Sequence, residues 1–390
     1  MGGPQEISVA IVGAGAAGLS AGAALQRRGV EPVVFDGDDR VGGRWARRYE
    51  RLCLHTVRRF SGLAHHPIPR EYPRYVPKDL FARYLSDYAR HFGLDLRLGH
   101  RVEKVRAVDG NAWAIETNGY AWRSRVAIIA TGHYNRPLLP SWPGADGFQG
   151  RLLHSVEYRT GRSFAGQRAL VIGIGNSGAE IAVDLVGQGA AYVAVSVRTP
   201  PPIMPRDVCG VVPVQLLGLL FGRVPAPKLL DRVGALMRRV AVGDLRRYGL
   251  EDAAWGPFTA RRPPVIDVGF LRELKRRRVH VRPNVGHFTR DGVAFVDGTE
   301  EGYDVVVAAT GFDTALRDLL ELPDAVGEHG LPAFPSGRAT PYPGLYFIGY
   351  DETIGGHLRR ANLESRRLAK EIERYLAGTV TRASRGTSSA

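Results

Sequence analysis

The sequence predicts an α/β protein built from two similar units, the second inserted into the first. Its 390 residues exceed one ordinary domain, since domains average about 150 residues. A buried-strand pattern followed by G-x-G-x-x-G and a helical run occurs twice, beginning at Val9 and at Ala169. Each copy is closed, more than a hundred residues later, by an apolar strand that ends in Ala-Thr-Gly, at Gly132 and at Gly311. A start and a finish that recur together indicate two related units.

The glycine-rich turns have a specific chemical use. In G-x-G-x-x-G the first glycine permits a tight turn, the second lets the main chain approach a diphosphate, and the third lets helix and strand pack closely. The diphosphate then rests on the N-terminus of the helix. Structural turns match the pattern by chance, but two matches after buried strands favour two Rossmann-like dinucleotide-binding domains. The predicted cradles are Gly13, Gly15, Ala16, Ala17 and Gly18 in the first unit and Gly173, Gly175, Asn176, Ser177 and Gly178 in the second.

The residue about twenty positions after each turn distinguishes two cofactors. The strand that starts at Val33 ends in the carboxylate of Asp36, which would accept hydrogen bonds from ribose hydroxyls, as the adenosine half of FAD requires. The strand that starts at Val193 ends in the guanidinium of Arg198, which suits the 2'-phosphate of NADPH. A solvated loop acid and a surface arginine are the alternatives to these two assignments.

The order of the motifs predicts an NADPH-binding domain inserted into an FAD-binding domain. We expect residues 1–145 to form the first part of the FAD-binding domain, 146–300 the NADPH-binding domain, 301–378 the second part of the FAD-binding domain, and 379–390 a flexible tail. Residues 204–255 combine an apolar run with helical patterns, and we expect them to lie on the substrate side.

Composition and charge narrow the class of partner. At 44% hydrophobic and 24% charged residues, the chain has the composition of a soluble globular protein, and we expect it in the cytoplasm. The formal net charge is +14, but 48 of the 53 basic residues are arginines scattered as short clusters, without a stripe interleaved with aromatic residues. No nucleic-acid partner is therefore predicted, and the charge slightly favours an anionic small-molecule substrate.

Metal, disulfide and membrane-spanning motifs are not found in the sequence. The two cysteines, Cys53 and Cys209, lack the C-x-x-C spacing of a redox pair or zinc site, and the pair His65-His66 lacks the i, i+4 spacing of a helical zinc site. The apolar stretches 7–25 and 208–221 are interrupted by glycines or by polar and proline residues, so no transmembrane anchor is predicted. The sequence does not determine the oligomeric state.

A third motif lies between the two glycine turns. Phe148, Gly150, His154 and Tyr158 fit F-x-G-x-x-x-H-x-x-x-[YF]. With Gly42-Gly43-Arg44-Trp45 and Ala309-Thr310-Gly311-Phe312, this motif makes nearly the whole chain resemble the flavin-containing monooxygenase family, the class B flavoprotein monooxygenases. Within the family, the segments Leu52-Cys53-Leu54-His55 and 264–269 are most similar to the plant indole-3-pyruvate (auxin-forming) branch.

The resemblance implies both cofactors and a reaction. In this family NADPH reduces FAD, the reduced flavin forms a C(4a)-hydroperoxide with O2, and one oxygen atom passes to a small organic substrate. The reaction would be N- or S-oxygenation, or oxidative decarboxylation of an aryl 2-oxo acid. Further expected cofactor contacts are Gly43, Arg44, Trp45, His55, Val102, Thr131 and Gly132 for FAD and Thr310 and Gly311 on the NADPH side. His55 is the candidate catalytic side chain at the flavin edge, with packing beneath the ring as the alternative.

Three other functions fit these residues less well. Baeyer–Villiger monooxygenases usually end the third motif with Trp followed by Pro or Asp, whereas this chain has Tyr158-Arg159. A disulfide reductase of similar architecture needs a dithiol beside the flavin, which two isolated cysteines do not supply. A non-catalytic flavoprotein redox sensor would need neither Arg198 nor the His154 motif. The segment 349–357 departs from the plant pattern, so its contacts are left open.

Overall fold

The computed structural model describes residues 4–386, apart from residues 110, 209, 210, 223, 261 and 352. Cys209 lies outside the described residues. The helices are α1 Ala16–Gln26, α2 Gly43–Ala46, α3 Lys78–Phe92, α4 Asn176–Gly187, α5 Val214–Phe221, α6 Pro227–Val242, α7 Pro257–Ala260, α8 Phe270–Lys275, α9 Leu316–Leu319 and α10 His357–Gly386. The strands are β1 Gln5–Val12, β2 Pro32–Asp36, β3 Asp95–Leu98, β4 Val102–Val108, β5 Ala112–Thr117, β6 Tyr120–Ile129, β7 Arg136–Pro137, β8 Arg151–His154, β9 Arg168–Ile172, β10 Tyr192–Ser196, β11 Ile203–Pro205, β12 Asp207–Val208, β13 Val212–Pro213, β14 Val265–Asp267, β15 His280–Arg282, β16 Val285–Phe288, β17 Gly292–Phe295, β18 Glu300–Gly302, β19 Val305–Ala308, β20 Phe312–Asp313 and β21 Leu345–Phe347.

The first sheet has a parallel part and an antiparallel part. Strands β3, β2, β1, β6 and β21 follow one another as parallel neighbours. Strand β5 is antiparallel to the first half of β6, and β4 is antiparallel to β5 at the edge of the sheet. Side chains of β1 alternate between two cores, because successive residues of a strand point to opposite faces. Val9 and Ile11 pack with α1, α3 and α10, and Ala10 and Val12 pack with the segment that contains α9.

The second sheet repeats this arrangement. Strands β15, β10, β9, β19 and β8 are all parallel, and β16, β17 and β18 form a separate antiparallel sheet between β15 and β19 in the chain. One face packs on α4 and α8, and the other packs on Phe148 and the antiparallel sheet. The α/β class and its parallel sheets, predicted from the sequence, are confirmed.

The structure moves one predicted boundary. Residues 301–378 were expected to return to the first unit, but β19 forms a parallel ladder with β9 from Val305 to Ala308 and also pairs with β8. The backbone hydrogen bonds of this strand therefore hold it in the second sheet, and the chain leaves that sheet only after Ala308. At the other end of the chain, α10 continues to Gly386, into the segment 379–390 expected to be a tail. Across the described residues, no helix is long and apolar enough to cross a bilayer.

Candidate functional site

The first glycine turn is built so that only glycine fits at two of its positions. Gly13 has φ +114°, and a Cβ placed there would lie 2.6 Å from the carbonyl oxygen of Ala130. A Cβ on Gly18 would lie 1.9 Å from the carbonyl oxygen of Gly13. Gly15, the residue before the first turn of α1, has no atom within 4 Å of its Cβ position. The turn is thus closed toward the sheet and open above Gly15, at the N-terminus of the helix.

The second glycine turn has the same geometry. A Cβ on Gly178 would lie 1.9 Å from the carbonyl oxygen of Gly173, and one on Gly173 would lie 2.9 Å from that of Ala309. Gly175 again faces open space and precedes the first turn of α4. Asn176 is used inside the protein, since its Oδ1 accepts a hydrogen bond from the amide of Ile266 at 2.8 Å. Both turns therefore present an open helix N-terminus with the same backbone arrangement.

The strand ends beside the two turns differ in register from the prediction. The Phe35 carbonyl accepts from the Gly13 amide at 2.7 Å, and the Ser196 carbonyl accepts from the Gly173 amide at 2.9 Å. The residue that matches Asp36 is therefore Val197, and the expectation that Arg198 occupies the matching place is wrong by one residue. Arg198 follows it on the surface and makes no hydrogen bond or ion pair with the described residues.

Asp36 is held against the first turn by main-chain amides. Its Oδ2 accepts from the amide of Ala14 at 2.7 Å and its Oδ1 from that of Asp38 at 2.8 Å. Gly43 lies close to the loop that follows β2, because a Cβ there would be 2.9 Å from Oδ2 of Asp38. Val102 follows Arg101, whose side chain contacts the Gly37 position. The structure thus brings these predicted residues to one edge of the first sheet.

The other predicted residues of the first unit surround the start of α1 and the segment after β6. The guanidinium of Arg44 donates to the carbonyl of Tyr134 at 2.7 Å, and Trp45 packs edge-on against Phe81 with ring centroids 4.7 Å apart. Thr131 lies before Gly132, and its hydroxyl is 2.8 Å from that of Tyr350. A Cβ on Gly349 would lie 2.7 Å from Cβ of Ala17. Residues 349–350, whose contacts the sequence left open, therefore lie over the first turn of α1.

His55 contacts the second unit directly. Its Nε2 is 2.6 Å from Oε1 of Glu180, and the two residues are 125 positions apart in the chain. Glu180 belongs to α4, and its side chain is only 3% exposed. A carboxylate only accepts, so the imidazole donates from Nε2. The candidate catalytic residue of the first unit is thus fixed to the helix that carries the second glycine turn.

The four residues of the third motif serve the second unit from within. Phe148 and Tyr158 are buried, and the hydroxyl of Tyr158 donates to Asp184 in α4 at 2.7 Å. A Cβ on Gly150 would lie 2.4 Å from the ring of Phe148. His154 accepts from the amide of Val156 at Nδ1, so Nε2 carries the proton that it donates to the carbonyl of Gly311 at 3.0 Å. Burial lowers the pKa of His154, which keeps this ring neutral.

The two crossings between the units pair with each other. Strand β7 is antiparallel to β20, and the amide of Leu138 donates to the Gly311 carbonyl that His154 also contacts. The hydroxyl of Thr310 donates to the carbonyl of Leu138. Arg48 lies over the ring of Phe312, with its guanidinium carbon 4.9 Å from the ring centroid. The segments after both Ala-Thr-Gly sequences are therefore held together at one junction, formed by residues 136–138 and 311–313.

A cavity of about 590 Å³ opens at this junction. Its lining includes His133 and Tyr134 from the first crossing, Phe312 from the second, and His357 at the start of α10. Nε2 of His133 is buried without a hydrogen-bond partner among the described residues. Burial, together with the nearby His357, lowers the pKa of His133 to about 4. This histidine is therefore neutral near pH 7.

The low pKa of His133 predicts an acid-sensitive term in stability. Its folded pKa lies below the unfolded value of about 6.5, so the unfolded state takes up the proton first as the pH falls. We expect the contribution to be complete above pH 6.5 and to be lost between about pH 6.5 and 4, by up to about 1.4 kcal/mol per pH unit. His133→Gln should flatten the dependence of the unfolding free energy on pH in this range, measured by denaturant titration. The exposed His329→Gln is the control, and equal slopes in all three proteins would contradict the prediction.

Two important residues were not assigned a role from the sequence. Glu180 follows the second glycine turn directly, so its position was visible, but its partner was not. Gln215 of α5 is 4% exposed, accepts from the amide of Val57 at 2.9 Å and donates to the carbonyl of Gly355 at 2.9 Å. These two hydrogen bonds connect α5 to segments that flank the site of the first unit. The residues around Gln215 in the sequence do not indicate this role. Helix α5 therefore contacts the segments that contain Val57 and Gly355.

Comparisons with known proteins agree with this geometry. Residues 6–323 match the model of a family described as flavin-binding monooxygenase-like. The indole-3-pyruvate monooxygenase YUCCA1 of Oryza sativa subsp. japonica is 36% identical over 354 residues, which cover 88% of this chain and 86% of that protein. A mutant flavin monooxygenase from Stenotrophomonas maltophilia superposes with a TM-score of 0.74 at 25% identity, covering 95% of this chain and 99% of the other. A cyclohexanone monooxygenase bound to epsilon-caprolactone gives a TM-score of 0.76 at 21% identity over 96% and 88% of the two chains, a likeness of fold alone.

Proposed function

Since the chain belongs to the flavin-binding monooxygenase-like family, we propose that it is an FAD- and NADPH-dependent monooxygenase that transfers one oxygen atom of O2 to a small organic substrate. The observation that carries this proposal is the pair of glycine turns, which share one geometry and are each open above the middle glycine. Two dinucleotides are needed for a nicotinamide to reduce a flavin, and each glycine turn, lying between a parallel strand and a helix, would hold one of them.

The residues of the first unit fit FAD. The open space above Gly15 suits a diphosphate at the N-terminus of α1. Asp36 accepts hydrogen bonds from two amides and has further lone pairs that could accept from ribose hydroxyls. The side chains of Thr131 and Trp45 and the segment 349–350 lie around the same turn and would contact the rest of the molecule. His55 would lie at the flavin edge, which agrees with its position between the two units.

The residues of the second unit fit NADPH. Gly175 and the N-terminus of α4 would receive its diphosphate, and Arg198 has no protein partner among the described residues that would compete for a phosphate. Bound FAD would supply the redox chemistry, accepting a hydride from NADPH and activating O2. The protein's part is to hold the two dinucleotides in place and to limit water access. The junction between residues 136–138 and 311–313 would fix the two units relative to each other.

The substrate we favour is an aryl 2-oxo acid. The relative with 36% identity is named for a 2-oxo acid of this kind. Arg206 is the arginine that would receive the carboxylate: its guanidinium carbon lies 3.9 Å from the ring centroid of Tyr75, and its Nε makes no hydrogen bond with the described residues, although it lies 3.8 Å from Oδ2 of Asp207. Its neighbour Asp207 is shared with the hydroxyl of Tyr75 and with Arg74. Oxidative decarboxylation would convert the 2-oxo acid, O2, NADPH and a proton into the shortened carboxylic acid, CO2, NADP⁺ and water.

Oxygen labelling tests the reaction. Purified protein with NADPH and oxygen-18-labelled O2 would be offered aryl 2-oxo acids, amines, sulfides and ketones in parallel. The expected result is one labelled oxygen in the shortened acid, with CO2 released in equal amount. A labelled N- or S-oxide would keep the monooxygenase and replace the substrate class, and a labelled ester or lactone would indicate ketone insertion. NADPH consumption that yields only H2O2 with every substrate would contradict the proposal.

Removing the guanidinium of Arg198 tests the choice of NADPH. Arg198→Ala should raise KM for NADPH by about 10–100-fold, because a charge-assisted hydrogen bond to phosphate contributes about 1.5–3 kcal/mol. KM for NADH should change little, since NADH carries no 2'-phosphate. The measurement is flavin reduction at varied concentrations of each nucleotide. Arg162→Ala, another exposed arginine of the second unit, is the matched control, and equal effects on both nucleotides in Arg198→Ala would contradict the assignment.

A further inference from the structure

A buried carboxylate at the junction of the two units has no assigned role. Glu180 lies on α4, shortly after the second glycine turn, and its side chain is 3% exposed. Burying a charged group costs free energy unless other groups pair with it. A carboxylate in this place therefore has to be explained by its partners.

Among the described residues, the polar side chains that interact with Glu180 come from one segment of the first unit, residues 49–55. His55 lies 2.6 Å from its Oε1, and burial together with the nearby Glu180 carboxylate raises the pKa of the Tyr49 hydroxyl. Arg51 donates to the backbone carbonyl of Glu180 at 3.3 Å. Burial and then the Glu180 charge raise the pKa of the Cys53 thiol, which places this residue in the same field. Residues 49–55 and the start of α4 thus form one polar network.

The network fixes which nitrogen of His55 carries a proton. Because Glu180 accepts from Nε2, a neutral His55 ring keeps its lone pair on Nδ1. A carboxylate that orients a histidine in this way commonly determines its tautomer and its orientation. Glu180 is part of α4, so the same hydrogen bond fixes the position of the imidazole relative to the helix of the proposed NADPH-binding unit. The imidazole itself belongs to the proposed FAD-binding unit.

We propose that Glu180 is a positioning residue for His55: it holds the imidazole with the proton on Nε2 and ties it to the helix of the second glycine turn. The role in oxygenation rests on the proposed function, whereas the tautomer does not. A salt bridge that only joined the units would contribute to stability and would leave the tautomer and the chemistry unaffected.

Nitrogen–carbon correlation NMR of the histidine rings tests the positioning directly in the full-length protein. His55→Gln identifies the His55 signal among the 11 histidines. We expect wild type to show the proton on Nε2, Glu180→Gln to retain it because an acceptor oxygen remains, and Glu180→Leu to show a mixture of both tautomers. A wild-type ring protonated on Nδ1, or an unchanged signal in Glu180→Leu, would overturn the proposal.

The ratio of H2O2 released to NADPH oxidised tests the functional consequence. Glu180→Leu should raise this ratio about 10-fold, the lower end of the loss of activity that follows removal of a carboxylate orienting a metal-ligating histidine. His55→Gln should have a similar effect, and the double variant should be no worse than either single one, because one interaction is lost in all three. Glu180→Asp retracts the carboxylate by one methylene and should be intermediate; it replaces Glu180→Leu if that variant does not fold. An unchanged ratio in Glu180→Leu or Glu180→Asp would overturn the proposal.

A second buried carboxylate provides the control. Glu273 of α8 is 2% exposed and pairs with Arg272 and Arg278, and it has no hydrogen bond or ion pair with residues 49–55. Glu273→Leu should lower stability and leave the H2O2 ratio as in wild type, and an equal rise there would mean that general loosening causes the effect. Should wild type bind no flavin, the proposed function would fail, while the tautomer measurement would still decide the role of Glu180.

Discussion

Replacing Gly15 with valine is expected to give a folded protein that no longer retains flavin. No atom lies within 4 Å of the Cβ position of Gly15, and its φ of −76° and ψ of −177° are accessible to valine, so the substitution meets no internal obstacle. The valine side chain would instead occupy the open space where a diphosphate approaches the helix N-terminus. We expect flavin affinity to fall at least about 100-fold, or roughly 3 kcal/mol, measured by titration of the flavin-free protein.

Gly175→Val is the matched control, because it makes the same change in the second turn. This variant should keep its flavin and lose its affinity for NADPH, measured as the nucleotide concentration needed for half-maximal rate of flavin reduction. The two variants are thus expected to lose different cofactors: Gly15→Val loses flavin, and Gly175→Val loses affinity for NADPH. Retention of flavin by Gly15→Val, or loss of flavin in Gly175→Val with NADPH affinity intact, would contradict the assignment of the two turns.

Gly178→Ala is expected to destabilise the protein strongly. A Cβ there would lie 1.9 Å from the carbonyl oxygen of Gly173, and this obstacle is backbone that cannot rotate away. Helix α4 would have to separate from β9 and disturb the core that Ile181 and Leu185 form. We expect the unfolding free energy to fall by about 3–5 kcal/mol, measured by denaturant titration.

Gly187→Ala, at the end of the same helix, is the control. Its Cβ position has no atom within 4 Å, so alanine should be neutral or stabilise the helix by up to about 1 kcal/mol. If Gly178→Ala proved as stable as Gly187→Ala, the close packing of helix and strand described here would be incorrect.

Periodicity and glycine spacing predicted the two parallel sheets because they reflect local rules. A buried run such as Val9–Val12 forms a strand of a covered parallel sheet, and the following glycines admit only one way of turning into a helix. The repeated Ala-Thr-Gly also located β6 and β19. The repeat thus indicated β19 as the closing strand of the second unit, which its pairing with β9 bears out, whereas the boundary at residue 301 was placed before this strand and is wrong.

Contacts between distant segments could not be predicted. Each of the residues His55 and Glu180 was visible in its own motif, but nothing in either motif indicates a partner 125 positions away. The same applies to β7 and β20, two-residue strands that exist only because the crossings meet. The position of Arg198 relative to Asp36 was misjudged by one residue, since strand ends are set by hydrogen bonds that spacing alone does not specify.

Anaerobic mixing of the purified protein with NADPH shows whether a dinucleotide on one glycine turn reaches a flavin on the other. We expect a yellow protein whose visible flavin band is bleached rapidly by NADPH and much more slowly by NADH at the same concentration. A protein that takes up no flavin on reconstitution, or a bound flavin that NADPH leaves oxidised, would contradict this expectation.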